Sequence, residues 1–209
     1  MRVLVLSVVI VVSDQISKFL VKGISIPWLG VSAEGMHYGT SRPVLGDFLR
    51  LTYIENPGMA FGIDIGGKTF FSLFSILASV AILLYLYKCR EESLGLRVSL
   101  ALILGGAVGN LIDRVFYGVM FGNAPLFHGK VVDFLDLDFF NLSILGHHLS
   151  RWPVFNIADA AVTCGVVLLL FFHRGSSKDD LQPVPLSADA STVTPDSGGP
   201  DSRQISTHE

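Results

Sequence analysis

Four stretches of this chain stay apolar for about the thickness of a bilayer's hydrocarbon core. They are Val3–Val21, Thr69–Tyr87, Val98–Val115 and Phe155–Phe172, each close to the roughly 20 residues that a spanning helix needs. The pattern predicts a mainly α membrane protein with four transmembrane helices. Between the first two spans, residues 22–68 mix Gly and Pro with strand-like pieces, Val44–Leu45 and Phe48–Ile54, which predict a small sheet at the membrane surface. Residues 116–154 form the second segment outside the bilayer. There, Leu135–Phe139 alternates apolar and acidic residues, the pattern of a half-buried strand with Asp136 and Asp138 on a solvated face. The last stretch, 175–209, is rich in Ser, Asp and Pro and reads as a disordered tail after a membrane domain of residues 1–174.

Composition agrees with this picture. Half of the residues are hydrophobic, with a mean hydropathy of +0.55, and only 16% are charged, which is poor in charge for a soluble domain. The formal charge of −3 belongs to the tail, where six acids and two bases give −4 and leave +1 for the rest. No basic nucleic-acid footprint, Gly-rich phosphate loop or Ser-His-Asp set is present. Cys89 and Cys164 fall in different spans and predict neither a disulfide nor a zinc site. His147 and His148, in a Gly-flanked loop, read as surface residues rather than metal ligands. Met1-Arg2 followed by an apolar run resembles a secretory signal, but Asp14 and Lys18 interrupt it and no small-x-small cleavage site follows, so an uncleaved span is expected. Basic residues gather at Lys88–Arg97, Arg2, Arg174 and Lys178, which places both termini in the cytoplasm.

Polar residues inside apolar spans carry the chemistry. A charged side chain at membrane depth costs roughly 2.5–3.5 kcal/mol by insertion scales and requires a reason. Asp14 and Lys18, four apart, share a helix face and either neutralise one another or serve a site. In the third span Ala101, Gly105 and Gly109 recur every four positions, a stripe for close helix packing. It ends in Asn110, Asp113 and Arg114, whose i, i+3, i+4 spacing projects them to one side. Asn56-Pro57-Gly58 is turn chemistry, although a buried Asn could also donate to a substrate carbonyl. Asn156-Ile157-Ala158-Asp159 has capping spacing, yet a cap supplies only about 1 kcal/mol and does not account for Asp159 at membrane depth. Asp133, of opposite parity to Asp136 and Asp138, is its natural partner. Two carboxylates in a poorly solvated cleft share a proton, one acting as base towards water while the other hydrogen-bonds a carbonyl. The positive end of the fourth span favours the ionised form of Asp159, so Asp133 is expected to hold the proton.

Asp14 with Lys18, Asn56–Phe61, Gly109–Arg114, Val131–Phe134 and Phe155–Asp159 together resemble the lipoprotein signal peptidase (signal peptidase II) family, in the family's order and over about residues 1–174. The resemblance implies a four-helix aspartic peptidase of the bacterial inner membrane, with a small periplasmic β-cradle and a short amphipathic periplasmic helix. Such an enzyme would remove the signal peptide of a prolipoprotein just before its diacylglyceryl-modified cysteine. It would work as a monomer, without cofactor or metal, with lipidated prolipoproteins and the phospholipid bilayer as partners. Asp133 and Asp159 match the catalytic pair. Asn56, Gly58, Asn110, Arg114, Asn156 and Ala158 match positions that line or support the site, as does Asp113 beside them. Asp14 and Lys18 match the polar pair of the first helix.

Three features depart from the usual pattern. Residues 31–44 and 140–151 are longer than the family's connections, and the tail from 175 is additional. Other classes also keep acids inside a membrane: a proton- or ion-coupled transporter, a structural adaptor, or a metal-dependent hydrolase. Four short spans without a repeat make a poor conduit, an adaptor would tolerate loss of either aspartate, and a metallohydrolase would be sensitive to chelator.

Overall fold

The computed structural model describes residues 2–26, 30–58, 67–144 and 147–176. The tail from 177, Met59–Phe61 and the side chains of His147 and His148 lie outside the described residues. The elements in order are α1 (Leu4–Lys22), β1 (Ile24–Ile26), β2 (Val31–Ala33), β3 (Ser41–Leu45), β4 (Leu49–Asn56), α2 (Gly67–Lys88) and α3 (Leu94–Ile112). A π-helical turn at Asp113–Tyr117 and the three-residue α4 (Gly118–Met120) continue α3, followed by β5 (Val131–Ile144), β6 (His147–Arg151) and α5 (Ile157–Ser176).

Helix α1 is built inside out. Its polar residues Ser7, Asp14, Gln15 and Lys18 are buried, while Val5, Val8, Val12, Ile16 and Leu20 are about half to two-thirds exposed. A helix in water would reverse this arrangement, so the outward apolar stripe faces lipid. The same holds for Phe70, Leu73, Leu77 and Leu84 of α2 and for Leu170 and Phe171 of α5. Three helical stretches, Leu4–Lys22, Thr69–Lys88 and Leu94–Met120, are long and apolar enough to cross a membrane, and Ile157–Phe172 is a shorter apolar helix packed with them. This is a membrane protein whose fourth apolar helix is the short one.

Central to the bundle is α3, which packs against α1, α2 and α5. Its small-residue stripe lets α1 approach: a Cβ on Gly105 would sit 3.0 Å from Ile10, and one on Gly109 would sit 2.8 Å from Asp14 Oδ2. An adjacent glycine, Gly106, meets α5 instead, where a Cβ would lie 2.2 Å from the Ala158 carbonyl. One apolar core, with Val3, Leu86, Cys89, Leu100 and Leu104, fills the end near the N-terminus of α1. A second, with Val21, Tyr53, Tyr117, Val132 and Phe134, fills the opposite end and joins the helices to the sheet.

That sheet is antiparallel in the order β3-β4-β5-β6, beside a separate β1-β2 hairpin. In β4 a register shift between Leu51 and Ile54 aligns Ile54 with Asp133 and Asn56 with Val131. Residues 152–155 then run back along β5, with Trp152 N donating to Leu137 O at 3.0 Å and Leu135 N to Phe155 O at 2.7 Å. This clamp delivers the first turn of α5 to Asp133.

One expectation is corrected here. Asp136 does not lie on a solvated face: it is 2% exposed, paired across the sheet with Arg50, and accepts a 2.6 Å hydrogen bond from Thr52 Oγ1. Strand parity does turn it away from Asp133, but the neighbouring β4 residues Arg50 and Thr52 flank it there. Asp138 is half-buried.

Candidate active site

At the start of α5, Asn156 and Asp159 cap the helix reciprocally. Asn156 Oδ1 accepts from Asp159 N at 2.9 Å, and Asp159 Oδ2 accepts from Asn156 N at 3.3 Å. The cap leaves the amide of Asn156 free to reach across to β5, where Nδ2 donates to Asp133 Oδ1 at 2.6 Å. One fully buried asparagine therefore touches both carboxylates. Asp159 Oδ1 accepts a further bond from Asn110 Nδ2 at 2.7 Å. Asn56 also hydrogen-bonds Asp133 through its side chain, while its Oδ1 accepts from Gly58 N at 2.9 Å. Gly58 has φ 104°, a conformation open to glycine and strained for other residues. The Asn-Pro-Gly turn and the asparagine donor are thus one device.

Burial, and then the charge of Asp159, pushes the Asp133 carboxyl up to about 7, against the opposing pull of Asn156, Lys18 and Asn56.

Behind the pair lies a buried polar network. Lys18 Nζ sits 2.8 Å from Asp14 Oδ2, 2.8 Å from Asp113 Oδ2 and 3.0 Å from Asn110 Oδ1, and the side chains of Lys18, Asp14 and Asp113 have no solvent exposure. Each of these carboxylates also holds a main-chain N–H next to one of the pair. Asp14 Oδ1 accepts from Ala158 N at 3.0 Å, beside Asp159, and Asp113 Oδ2 accepts from Val132 N at 3.1 Å, beside Asp133. Lys18 thus ties together the backbones that carry both aspartates. Ala158 contributes its N–H and its smallness, being wholly buried against Gly106 and Gly109.

Asn110, Asp113 and Arg114 do not project to a single side. At about 100° per residue, positions 113 and 114 fall on opposite flanks of 110. Asp113 turns to α1 and β5, whereas Arg114 turns to α2, donating Nη1 to Ser75 Oγ at 3.3 Å. Arg114 interacts electrostatically with Asp159, Asp113 and Asp133, and its Nε is buried without a hydrogen-bond partner. Arg114, Asn110 and Asp159 line a cleft of about 320 Å³ between α2, α3 and α5. The π-helical turn also leaves the Arg114 and Val115 carbonyls to accept from Gly129 N at 2.9 Å and Phe127 N at 3.1 Å, anchoring the loop that leads into β5.

Two participants carry no clear sequence signal. Gln15 donates to Asp113 Oδ1 at 2.9 Å and to Gly109 O at 3.1 Å, and accepts from Tyr117 OH at 2.9 Å. A neutral amide beside Asp14 could have been noticed as a polar residue on the same stretch; Tyr117 could not. A separate group at the end of α1 joins Lys22, Glu55 and Tyr53, with Lys130 at 3.3 Å from Glu55. Burial alone would raise the Glu55 carboxyl, but the hydrogen bonds from Lys22, Tyr53 and Lys130 outweigh it and hold the group below its usual range. Among the described residues no three His, Cys, Asp or Glu side chains converge as metal ligands. Cys89 is free and buried, and Cys164 is free and exposed.

Residues 6–173 match the family described as Signal peptidase (SPase) II. The lipoprotein signal peptidase of Moorella thermoacetica is 37% identical over 170 residues, covering 81% of this chain and 90% of that protein. Its counterpart in Porphyromonas gingivalis is 34% identical over 192 residues, covering 79% of each. A bacterial membrane enzyme solved by the in meso method at 2.3 Å superposes with a TM-score of 0.62 at 28% identity, covering 88% of this chain and 94% of the other. With an inside-out bundle, a capped aspartate facing a second across one asparagine, and a family match over nearly all of the described helices and strands, the chain belongs to the signal peptidase II family.

Proposed function

We propose that this protein removes the signal peptide from diacylglyceryl-modified prolipoproteins, cutting just before the lipidated cysteine, with Asp133 and Asp159 as a water-activating pair. The observation that carries this reading is Asn156, which hydrogen-bonds Asp133 and caps against Asp159, so that two carboxylates from distant segments share one buried site. Asp159, held by Asn110, takes a proton from a water placed between the carboxylates. The resulting hydroxide adds to the scissile carbonyl, whose oxygen accepts a hydrogen bond from protonated Asp133. Collapse of the tetrahedral intermediate expels the cysteine amine, which receives the proton that Asp159 had taken. Arg114, with its buried and unpaired Nε, supplies a donor for a substrate carbonyl in the adjoining cleft. Asn56 and Asn156 keep the Asp133 carboxyl oriented, and the Lys18 network fixes the spacing of the two backbones.

In this reading residues 1–174 form the peptidase. It lies in the bacterial inner membrane with both termini cytoplasmic and the site near the periplasmic face, and one chain supplies every group the reaction uses. The test is cleavage of a lipidated prolipoprotein by the purified full-length protein in detergent. Asp133→Asn and Asp159→Asn should each lower kcat by about a thousandfold or more, Asp136→Asn should retain activity, and chelator should change nothing. Retained cleavage in either of the first two variants overturns the assignment.

A further inference from the structure

Asp159 borders two clefts. On the side of α2 and α3 lies the one already described, furnished with donors from Arg114, Asn110 and Ser75. Beside it, sharing Asp159 and Thr163, lies a second, of about 330 Å³, walled by Leu137 of β5, by Trp152 and Phe155 of the clamped segment, and by Ala160 and Cys164 of α5. Nothing in the catalytic scheme above uses it.

We propose that this second cleft receives the proximal part of an acyl chain of the lipidated cysteine, so that peptide and lipid reach the aspartates through neighbouring clefts that meet at Asp159 and Thr163. The inference rests on the peptidase reading and extends it. A peptide in a dry site must find partners for each N–H and C=O, because leaving them unpaired is costly. The first cleft has such partners. The second is walled mainly by hydrocarbon and aromatic surface, and the Thr163 hydroxyl is already donated to the Asp159 carbonyl at 2.9 Å. An acyl chain makes no hydrogen-bonding demand. Farther along α5, Val166, Val167 and Leu170 are 42–64% exposed, so the surface beyond the cleft continues into the lipid-facing side of the helix. From Asp159 to Cys164 the helix rises only about 7.5 Å, enough to seat the start of a chain whose remainder stays in the bilayer. Because the chain passes from one apolar surrounding to another, the cleft adds little affinity. What it supplies is register, holding the sulfur-bearing residue at a fixed offset from the pair.

Cys164 provides a native probe, since it is exposed on the cleft wall while Cys89 is buried at the far end of the bundle. Full-length Asp133→Asn protein in detergent is treated with a maleimide in the presence of lipidated prolipoprotein, the same polypeptide without lipid, or phospholipid alone. The lipidated substrate should slow labelling of Cys164 by about tenfold, and the other two should leave the rate unchanged. In a second arm, Cys164→Phe in the otherwise wild-type enzyme should raise KM for long-chain substrate by about tenfold, with recovery on substrates of shortened acyl chains, which a folding defect would not give. Equal protection by the unlipidated polypeptide would assign the cleft to peptide, and equal protection by phospholipid would make it a general lipid groove; either overturns the proposal. So does absence of protection by a substrate that the wild type cleaves. Failure of the wild type to cleave any lipidated prolipoprotein would remove the parent reading as well.

Discussion

Replacing Lys18 with methionine keeps the length and the apolar stem of the side chain but removes one ammonium and its three contacts, at 2.8, 2.8 and 3.0 Å. Two carboxylates with no solvent exposure then face each other with no cation between them. Breaking a buried pair by removing one partner costs about 3–5 kcal/mol, because the remaining charge is left uncompensated. For a protein of this size that corresponds to a fall of about 6–20 °C in Tm. The assay is thermal unfolding in detergent followed by near-UV circular dichroism. The effect comes from stranded charge rather than from packing, so the triple variant Lys18→Met with Asp14→Asn and Asp113→Asn should recover most of the loss. Its asparagines still offer an Oδ1 to Ala158 N and Val132 N. A single variant within about 2 °C of wild type, or a triple variant no better than the single, would refute the claim that Lys18 pins the site electrostatically.

Further outcomes follow from the geometry. In the proposed mechanism Asp133 is protonated to donate to the scissile carbonyl, and its carboxyl is raised to about 7, so kcat/KM should fall as pH rises through about 7, and an alkaline limb displaced to well above pH 8 would count against the assignment. In Asp159→Asn the carboxyl infrared band of Asp133 should titrate at lower pH than in wild type, while staying above the ordinary carboxylate range because burial, the larger cause, persists; an unchanged midpoint would mean the two groups do not interact. Folding raises this carboxyl, so the folded state holds a proton that the unfolded state releases, and the stability tied to it declines between roughly pH 4 and 7 as pH increases. Gly106→Ala would place a methyl 2.2 Å from the Ala158 carbonyl and 2.7 Å from Val162 Cγ2. Overpacking of this kind costs about 1–3 kcal/mol; it should lower both Tm and kcat, since it pushes the turn carrying Asp159 away from Asn110, and a wild-type kcat would argue against so tight a coupling.

The bundle was legible because hydrocarbon thickness imposes a length on apolar runs that few other constraints mimic. The packing role of Gly105 and Gly109 could likewise be read from spacing, since close helix approach has a fixed period. Strands were harder to bound: the alternation at Leu135–Phe139 marks only the middle of a strand that runs from Val131 to Ile144, because its first residues are buried on both faces and do not alternate. Asp136 was misjudged for the same reason, as local parity says which way a side chain turns but not what covers it. Gln15 and Tyr117 give little signal in the sequence because a neutral amide within an apolar helix and a phenol after one are common, and only tertiary contact reveals that they share a hydrogen bond. The two-sided capping box at Asn156 shows that a local motif and a long-range role can occupy the same residue without conflict.

The groups gathered around Asn156 and Lys18 come from segments spread from Asp14 in α1 to Asp159 in α5. A ribosome releases them in that order, and α5 is the last helix among the described residues to emerge. Until it inserts, Asp133 has no counterpart and Asp14 and Asp113 have no α5 backbone to grip. On the proposed mechanism the nascent polypeptide therefore cannot hydrolyse a substrate while it is still being threaded into a bilayer crowded with signal-bearing chains. In that reading a message truncated before codon 156 yields an inert product, and the insertion of α5 is itself the activating event.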